Sequence, residues 1–193
     1  MEIGRVSGKK LSAMTLEELW TLFPILLTEH QDCWKDWYAE EEKLLKPLLP
    51  QKAKIHHIGS TAVKTIWAKP IIDILIEIPE GHELSAFRET LANNGYICMS
   101  QSVDRLSFNK GYTENGFAEK VYHLHLRYAG DNDELYFRDY LKEFPAAARQ
   151  YEIMKLKLWK EYEYNRDGYT NAKSDFVKKH TSEARSMYGG RYK

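Results

Sequence analysis

Hydrophobic and polar positions alternate over two stretches of the chain. Between Pro70 and Ile78, Ile72, Ile74, Ile76 and Ile78 share one face of a predicted strand while Asp73, Leu75 and Glu77 share the other, because successive side chains in a strand point to opposite sides. Between Glu119 and Tyr128 the pattern returns, with Tyr122, Leu124, Leu126 and Tyr128 on one face and His123, His125 and Arg127 on the other. Each strand has an apolar face for a core, and each carries polar groups where a sheet should be covered. Shorter strands are predicted at Lys54–Ile58 and from Tyr96, with Asp104–Phe108 either continuing the latter or beginning another. Asn109–Gly116, which holds Gly111, Asn115 and Gly116, reads as a hairpin-like turn.

Elsewhere the period is helical. Thr15-Leu-Glu-Glu18 is a capping box opening a helix that Pro24 keeps short. Trp34, Trp37, Tyr38, Leu44 and Leu45 space an amphipathic helix over Thr28–Leu45, ended near Pro47 and Pro50. Leu84–Asn94 is a helix closed by Asn94-Gly95. Asp133–Tyr164 is a long helical stretch broken or kinked at Pro145; Arg166-Asp-Gly168 interrupts it, and Thr170 to about Tyr188 forms a last helix. Residues 1–13 are expected to be a flexible arm and 14–193 a single domain. Helices, then a mixed sheet with one crossover, then helices indicate an α+β fold.

Composition narrows the function classes only slightly. The 193-residue chain has 28 Lys/Arg and 28 Asp/Glu, so its overall charge argues against nonspecific attraction to nucleic acid or membrane. From Arg149 to Lys193 there are 11 Lys/Arg against 6 Asp/Glu, a local basic excess suited to a phosphate or to a solvated helix face. Cys33 and Cys98 lie far apart without zinc-ligand spacing, and Met1–Lys10 lacks an apolar leader, so the expectation is a cytoplasmic protein with reduced thiols and no membrane span.

Chemistry concentrates at residues 55–78. Gly59-Ser60-Thr61 follows a short strand, and a glycine there lets the backbone turn tightly and aim N–H groups and two hydroxyls at an anion. The same stretch also reads as a plain tight turn. Asp73 must meet a cation, a basic side chain or water, because an unpaired buried charge is costly. His123 and His125, at i and i+2 on a strand, could join Asp73 and His57 as mixed nitrogen and oxygen metal ligands; hydrogen bonds to Asp73 are the preferred reading. Glu77 shares the Asp73 face as a further candidate ligand. Lys69, Arg138, Lys155 and Lys173 are candidate phosphate contacts, Arg138 being equally suited to an ion pair with Asp139, and His56 is read as structural.

Several of these motifs together resemble one family. His57-Ile-Gly-Ser-Thr-Ala-Val63, Ala68-Lys-Pro-Ile-Ile-Asp-Ile74, His123-Leu-His125 and Phe137-Arg-Asp-Tyr-Leu141 are similar to the GrpB family, as are Tyr151 with Lys155 and Asp167-Gly-Tyr169 with Lys173 and Phe176. The resemblance runs from about residue 20 to the end and departs at Lys64, where the family usually has proline. It implies a nucleotidyltransferase-like fold, a small mixed sheet with helices packed on it and a helical C-terminal region. The hallmark of that superfamily is a Gly-Ser loop followed by an Asp-x-Asp/Glu strand. Gly59, Ser60 and Asp73 match it; Leu75 stands where the second carboxylate belongs. Glu77 lies two residues on, roughly 6 to 7 Å away.

The resemblance therefore implies a protein that binds a nucleotide or other phosphorylated small molecule with Mg²⁺ or Mn²⁺, and transfers a nucleotidyl group to an unidentified acceptor. In that reading Asp73 holds the metal and His123 or His125 assists. Two alternatives accompany it: a catalytically degenerate binding or accessory module, which Leu75 favours, and a hydrolase using one divalent metal in the His/Asp cluster.

Overall fold

The capping box forms as its residues require. The Thr15 hydroxyl accepts from the Glu18 N–H at 3.2 Å, the Glu18 carboxylate accepts from the Thr15 N–H at 2.7 Å, and helix α1 (Leu16–Leu22) stops before Pro24. The computed structural model describes residues 9–192. Residues 1–8 of the expected arm lie outside the described residues, and the rest of it holds a 3-10 turn at Leu11–Ala13.

Helix α2 runs from Cys33 to Leu45, shorter than the periodicity predicts. Thr28 is held instead in a backbone bridge with Ala68, each N–H donating to the other's carbonyl at 2.9 Å. Five strands follow: β1 (Lys54–Ile58), β2 (Ile72–Ile78), β3 (Ile97–Gln101), β4 (Arg105–Thr113) and β5 (Gly116–Tyr128). Their order across the sheet is β1-β2-β5-β4-β3, with β2 and β5 parallel and the other pairs antiparallel. Helix α3 (Phe87–Ala92) lies in the connection that takes the chain from β2 to the far edge.

Two glycines correct the predicted turn at 109–116. The hairpin turn is confined to Thr113–Gly116, and Gly111 lies inside β4 at a bulge between Lys110 and Tyr112. Its φ is 87°, and a Cβ there would sit 2.3 Å from the Lys120 carbonyl oxygen, so only glycine lets the strands close at this point. The residues from Asp104 onward begin a strand of their own, β4, rather than continuing β3.

The C-terminal helices are α4 (Asp133–Glu143), α5 (Pro145–Glu161), α6 (Arg166–Ala172) and α7 (Ser174–Tyr188). Pro145 breaks the long stretch and opens α5, where its missing N–H would be unpaired anyway. The next interruption falls at Tyr162–Asn165, not at Arg166–Gly168: the Asn165 side chain accepts from the Gly168 N–H at 2.8 Å and starts α6. No helix among the described residues is long and apolar enough to cross a membrane.

The core has two layers. Ile72, Ile74, Ile76 and Ile78 pack with Leu106, Phe108, Leu124 and Leu126 beneath Trp34, Leu45, Leu84 and Leu91; each fully buried side chain of this kind contributes about 1.5 to 3 kcal/mol. On the other face the C-terminal helices build a second core from Val63, Ile66, Leu141, Ala148 and Tyr151. Leu75 is fully buried there among Ile58 and Leu135. The polar face of β2 and β5 thus lies beneath helices, with a cleft left over its upper end.

Candidate functional site

Parallel pairing of β2 and β5 sets Asp73 opposite His123 and Leu75 opposite His125. Asp73 Oδ1 is 3.3 Å from His123 Nδ1 and 3.9 Å from His125 Nε2. Its other oxygen lies against Gly59, where a Cβ would come within 2.3 Å of Oδ2 and where φ is 70° with ψ −172°. That backbone region is closed to other residues, so Gly59 is required both for its turn and for Asp73. Burial alone would raise the Asp73 carboxyl, but the two histidines outweigh it and hold the group far below the usual carboxylate range.

A cleft of about 610 Å³ opens above this pair, lined among others by Gly59, Ser60, Asp73, His125, Asp133, Glu134 and four lysines, Lys178 of α7 at its rim and three deeper ones. Lys69 comes from the strap before β2, Lys155 from α5 and Lys173 from the junction of α6 and α7. Lys155 is almost wholly buried; its Nζ donates to Ser60 Oγ at 3.0 Å and to the Trp67 carbonyl, and lies 4.9 Å from the Tyr151 ring centroid. Lys69 and Lys173 stand 5.5 Å and 4.2 Å from the Tyr169 ring centroid. Burial, then repulsion from Lys173, lowers Lys69 and Lys155 to about 7, and burial lowers Lys173 to about 8. Lys155 thus bonds Ser60 while the charge of Asp73 acts on Lys69 and Lys173, in surroundings that favour the neutral forms of all three.

Of the other predicted residues, Thr61 lines the cleft but spends its hydroxyl on the His57 ring at 3.0 Å and the Ile71 carbonyl at 3.3 Å. His57 is not on the Asp73 face. It pairs across the sheet with Ile74 and stacks on Tyr38 at 4.8 Å, because neighbouring residues of a strand point to opposite sides. Burial lowers its ring to about 4. Glu77 is also removed from the cleft: His56 Nε2 at 2.8 Å, the Gly130 N–H at 3.0 Å and Asn132 at 2.9 Å enclose its carboxylate. Burial would raise Glu77, yet these donors hold it at about 2. Arg138 borders the cleft, but its guanidinium is committed to Asp139 at 2.8 Å, the His57 carbonyl at 2.9 Å and the Tyr192 hydroxyl at 3.1 Å. It ties α4 to β1, and the ion pair with Asp139 that the sequence offered as the alternative is formed.

The residues present do not fit a resident metal centre. Asp73 is the strand carboxylate lining the cleft, Leu75 fills the second carboxylate position with a buried side chain, and His57 and Glu77 are committed elsewhere. Among the described residues no group of three or more His, Cys, Asp or Glu could hold an ion. Two metals clamping both oxygens of a displacement need more carboxylates than this.

Three parts of the site escaped the sequence reading. Arg166 Nη2 donates to the Tyr112 hydroxyl at 2.9 Å, and Tyr112 meets His123 Nε2 at 2.7 Å; the Nδ1 of that ring faces Asp73, so a polar chain runs from α6 to the carboxylate. Burial lowers His123 against the pull of Asp73. Glu152 accepts from the Trp67 N–H at 2.9 Å while Lys155 takes the Trp67 carbonyl. One turn of α5 therefore grips the strap that carries Lys69. The buried Tyr169 hydroxyl, in the cleft wall, has no hydrogen-bond partner among the described residues.

Comparison with known proteins agrees with this geometry at the level of the fold. The sequence model described as "GrpB protein" matches residues 24–183. The "Glutamate-rich protein GrpB" of Alkalihalophilus pseudofirmus is 35% identical over 159 residues, covering 79% of this chain and 91% of that one. The crystal structure of conserved protein GrpB from Enterococcus faecalis superposes with a TM-score of 0.73 at 31% identity, covering 84% of this chain and 99% of that one. Cid1 poly(U) polymerase, in a structure with bound MgGTP, superposes with a TM-score of 0.51 at 13% identity over 69% of this chain and 44% of that one. The last likeness concerns the fold alone.

Proposed function

The chain belongs to the GrpB family, and on that premise we propose that its cleft binds a nucleotide or other phosphorylated small molecule through lysine side chains. The observation that carries this reading is that Lys69, Lys155 and Lys173, from three separate elements, line one cleft with Ser60 and Asp73. The buried Lys155 and the half-buried Lys69 and Lys173, with lowered proton affinity, repel one another, and a phosphate chain among them relieves that repulsion by restoring their charge. Ser60 and the unpartnered Tyr169 hydroxyl supply neutral hydrogen bonds. Any Mg²⁺ or Mn²⁺ would arrive on the ligand's phosphates rather than wait in the protein.

The reaction class proposed is nucleotidyl transfer. An acceptor hydroxyl oxygen attacks the α-phosphorus, the bond to the β-phosphate oxygen breaks, and pyrophosphate leaves among the lysines. Little covalent work falls to the protein in such a step, so positioning and charge neutralisation dominate. Asp73 orients the acceptor hydroxyl, and His125, beside it in the cleft, takes the proton. A second reading, a binding module that no longer transfers, is favoured by the buried Leu75.

Calorimetric titration of ATP, with Mg²⁺ and with EDTA, on wild type and Asp73→Asn tests the proposal. Binding in EDTA that persists in Asp73→Asn is the expected result, and when Mg²⁺ and a hydroxyl-bearing acceptor such as adenosine are added, pyrophosphate is released by wild type alone. Binding without any release from wild type favours the second reading. No binding under either condition contradicts both, and binding that requires Mg²⁺ and vanishes in Asp73→Asn puts a metal rather than the lysines at the centre.

A further inference from the structure

A second, larger cavity of about 950 Å³ lies beside the phosphate cleft. Lys69 and Thr170 line both. Strand register shows how the two are related: Ile58, Asp73, His123, Asn109 and Ile97 occupy one row across β1, β2, β5, β4 and β3. The first cavity stands over the Asp73 end of this row and the second over the Asn109 and Ile97 end. They meet at the Asp73–His123 pair.

The walls of the second cavity have different chemistry. Leu16, Leu19 and Trp20 of α1, Ile97 and Met99 of β3 and Tyr112 of β4 line it together. Leu16 is 55% exposed, Ile97 45% and Met99 58%, so apolar side chains from separate elements stand open to water around a concavity. That is the usual signature of a ligand site. Lys69 stands at the border with the first cavity, and away from it Arg166 and Lys10 are offset by Glu114 and Asp167, a near balance that suits an uncharged ring rather than a polyanion. The volume lies within the range of small-molecule pockets, about 300 to 1,000 Å³. Phe23 and Phe117 back Tyr112 at 4.7 Å and 5.1 Å between ring centroids, which fixes Tyr112 as a rigid wall.

We infer that this cavity seats the second substrate, a small molecule with a flat aromatic or heterocyclic ring whose hydroxyl reaches along the row to Asp73. Its role as acceptor rests on the phosphate reading above; its ring specificity rests on its own walls. The two cavities approach the carboxylate from opposite sides, the His125 side and the His123 side. Transfer between two bound molecules needs that arrangement. When the acceptor oxygen bonds to the α-phosphorus of a nucleoside triphosphate in the first cavity, its proton passes to His125 and pyrophosphate departs.

Adenosine, a ring with hydroxyls and no phosphate, separates this inference from the phosphate reading, and tripolyphosphate serves as its counterpart. In methyl and indole NMR spectra of the full chain, adenosine should shift Ile97, Met99 and Trp20. Met99→Asp and Leu16→Asp, exposed and on separate elements, should each weaken it about tenfold or more. Lys155→Met should leave it within about twofold while abolishing the tripolyphosphate response near Ser60. The inference is overturned if adenosine shifts none of these signals or if both Asp variants bind it as wild type does. Nuclear Overhauser contacts from Ile3 or Val6 to Trp20 would assign the cavity to the chain's own first residues and overturn it equally. A wild type that answers adenosine and shows no tripolyphosphate response contradicts the phosphate reading and leaves the ring pocket standing.

Discussion

Asp73 and Glu77 lie four residues apart on one face of one strand, and histidines hold both, yet they inhabit different chemistry. Glu77 is 3% exposed and its carboxylate is enclosed by His56, Gly130 and Asn132. Asp73 keeps a side chain 29% accessible at the floor of a cleft, where Lys69, Lys155, Lys173 and Lys178 and two arginines outnumber Asp73, Asp133 and Glu134. A fully satisfied buried acid specifies a structure; a partly satisfied one beside surplus cations specifies a ligand.

Removing each acid is the most direct way to break the comparison. Glu77→Ala strands His56, the Gly130 N–H and Asn132, and should cost about 3 to 5 kcal/mol in urea unfolding without altering the phosphate response of the protein that remains folded. Gly59→Ala comes next. The strained backbone and the contact with Asp73 should cost about 2 to 3 kcal/mol and weaken phosphate binding, read from the same unfolding curves and by titration.

The pH dependence sharpens the contrast from the lysine side. Lys69 and Lys155 lie near 7 and Lys173 near 8 without ligand, while phosphates bind the protonated forms. Affinity for tripolyphosphate should therefore be greatest below about pH 7 and fall roughly tenfold by about pH 9, equivalent to about 1.4 kcal/mol. Proton uptake should accompany binding near pH 8, seen as a buffer-dependent heat. Stability of the unliganded protein runs the other way for these groups: their proton affinity is depressed by folding, so their contribution is least favourable below the folded values and improves as pH rises towards the usual lysine range. Asp73→Asn gives the smallest change in phosphate binding: losing the charge that the two histidines stabilise should cost about 1 to 3 kcal/mol in stability, and it should tighten tripolyphosphate only a few-fold by removing a negative charge from the cleft.

The alternation of Ile72 to Ile78 and of Tyr122 to Tyr128 revealed the sheet's two faces, and the capping box at Thr15 located the first helix, since both depend on local periodicity. Residues whose role depends on packing between distant elements were not legible. His56 and His57 are neighbours on opposite faces, and only the register of β1 on β2 decides which meets an acid. Gly111 reads as a turn residue until the approach of Lys120 shows it to be a bulge. Arg138 matches a phosphate contact by type, but the fold commits it to the His57 carbonyl. Tyr112 and Arg166 carry no sequence signal, because their meeting with His123 requires α6 to lie against the hairpin.

The central claim is that the cleft lysines bind phosphate here without a resident metal. Calorimetric titration of tripolyphosphate in EDTA into wild type and Lys155→Met addresses it most directly, with circular dichroism to verify that both are folded. The account predicts a measurable association for wild type and a loss of about thirtyfold or more in the variant. Equal affinity in the two proteins, or no association until Mg²⁺ is added, would contradict it.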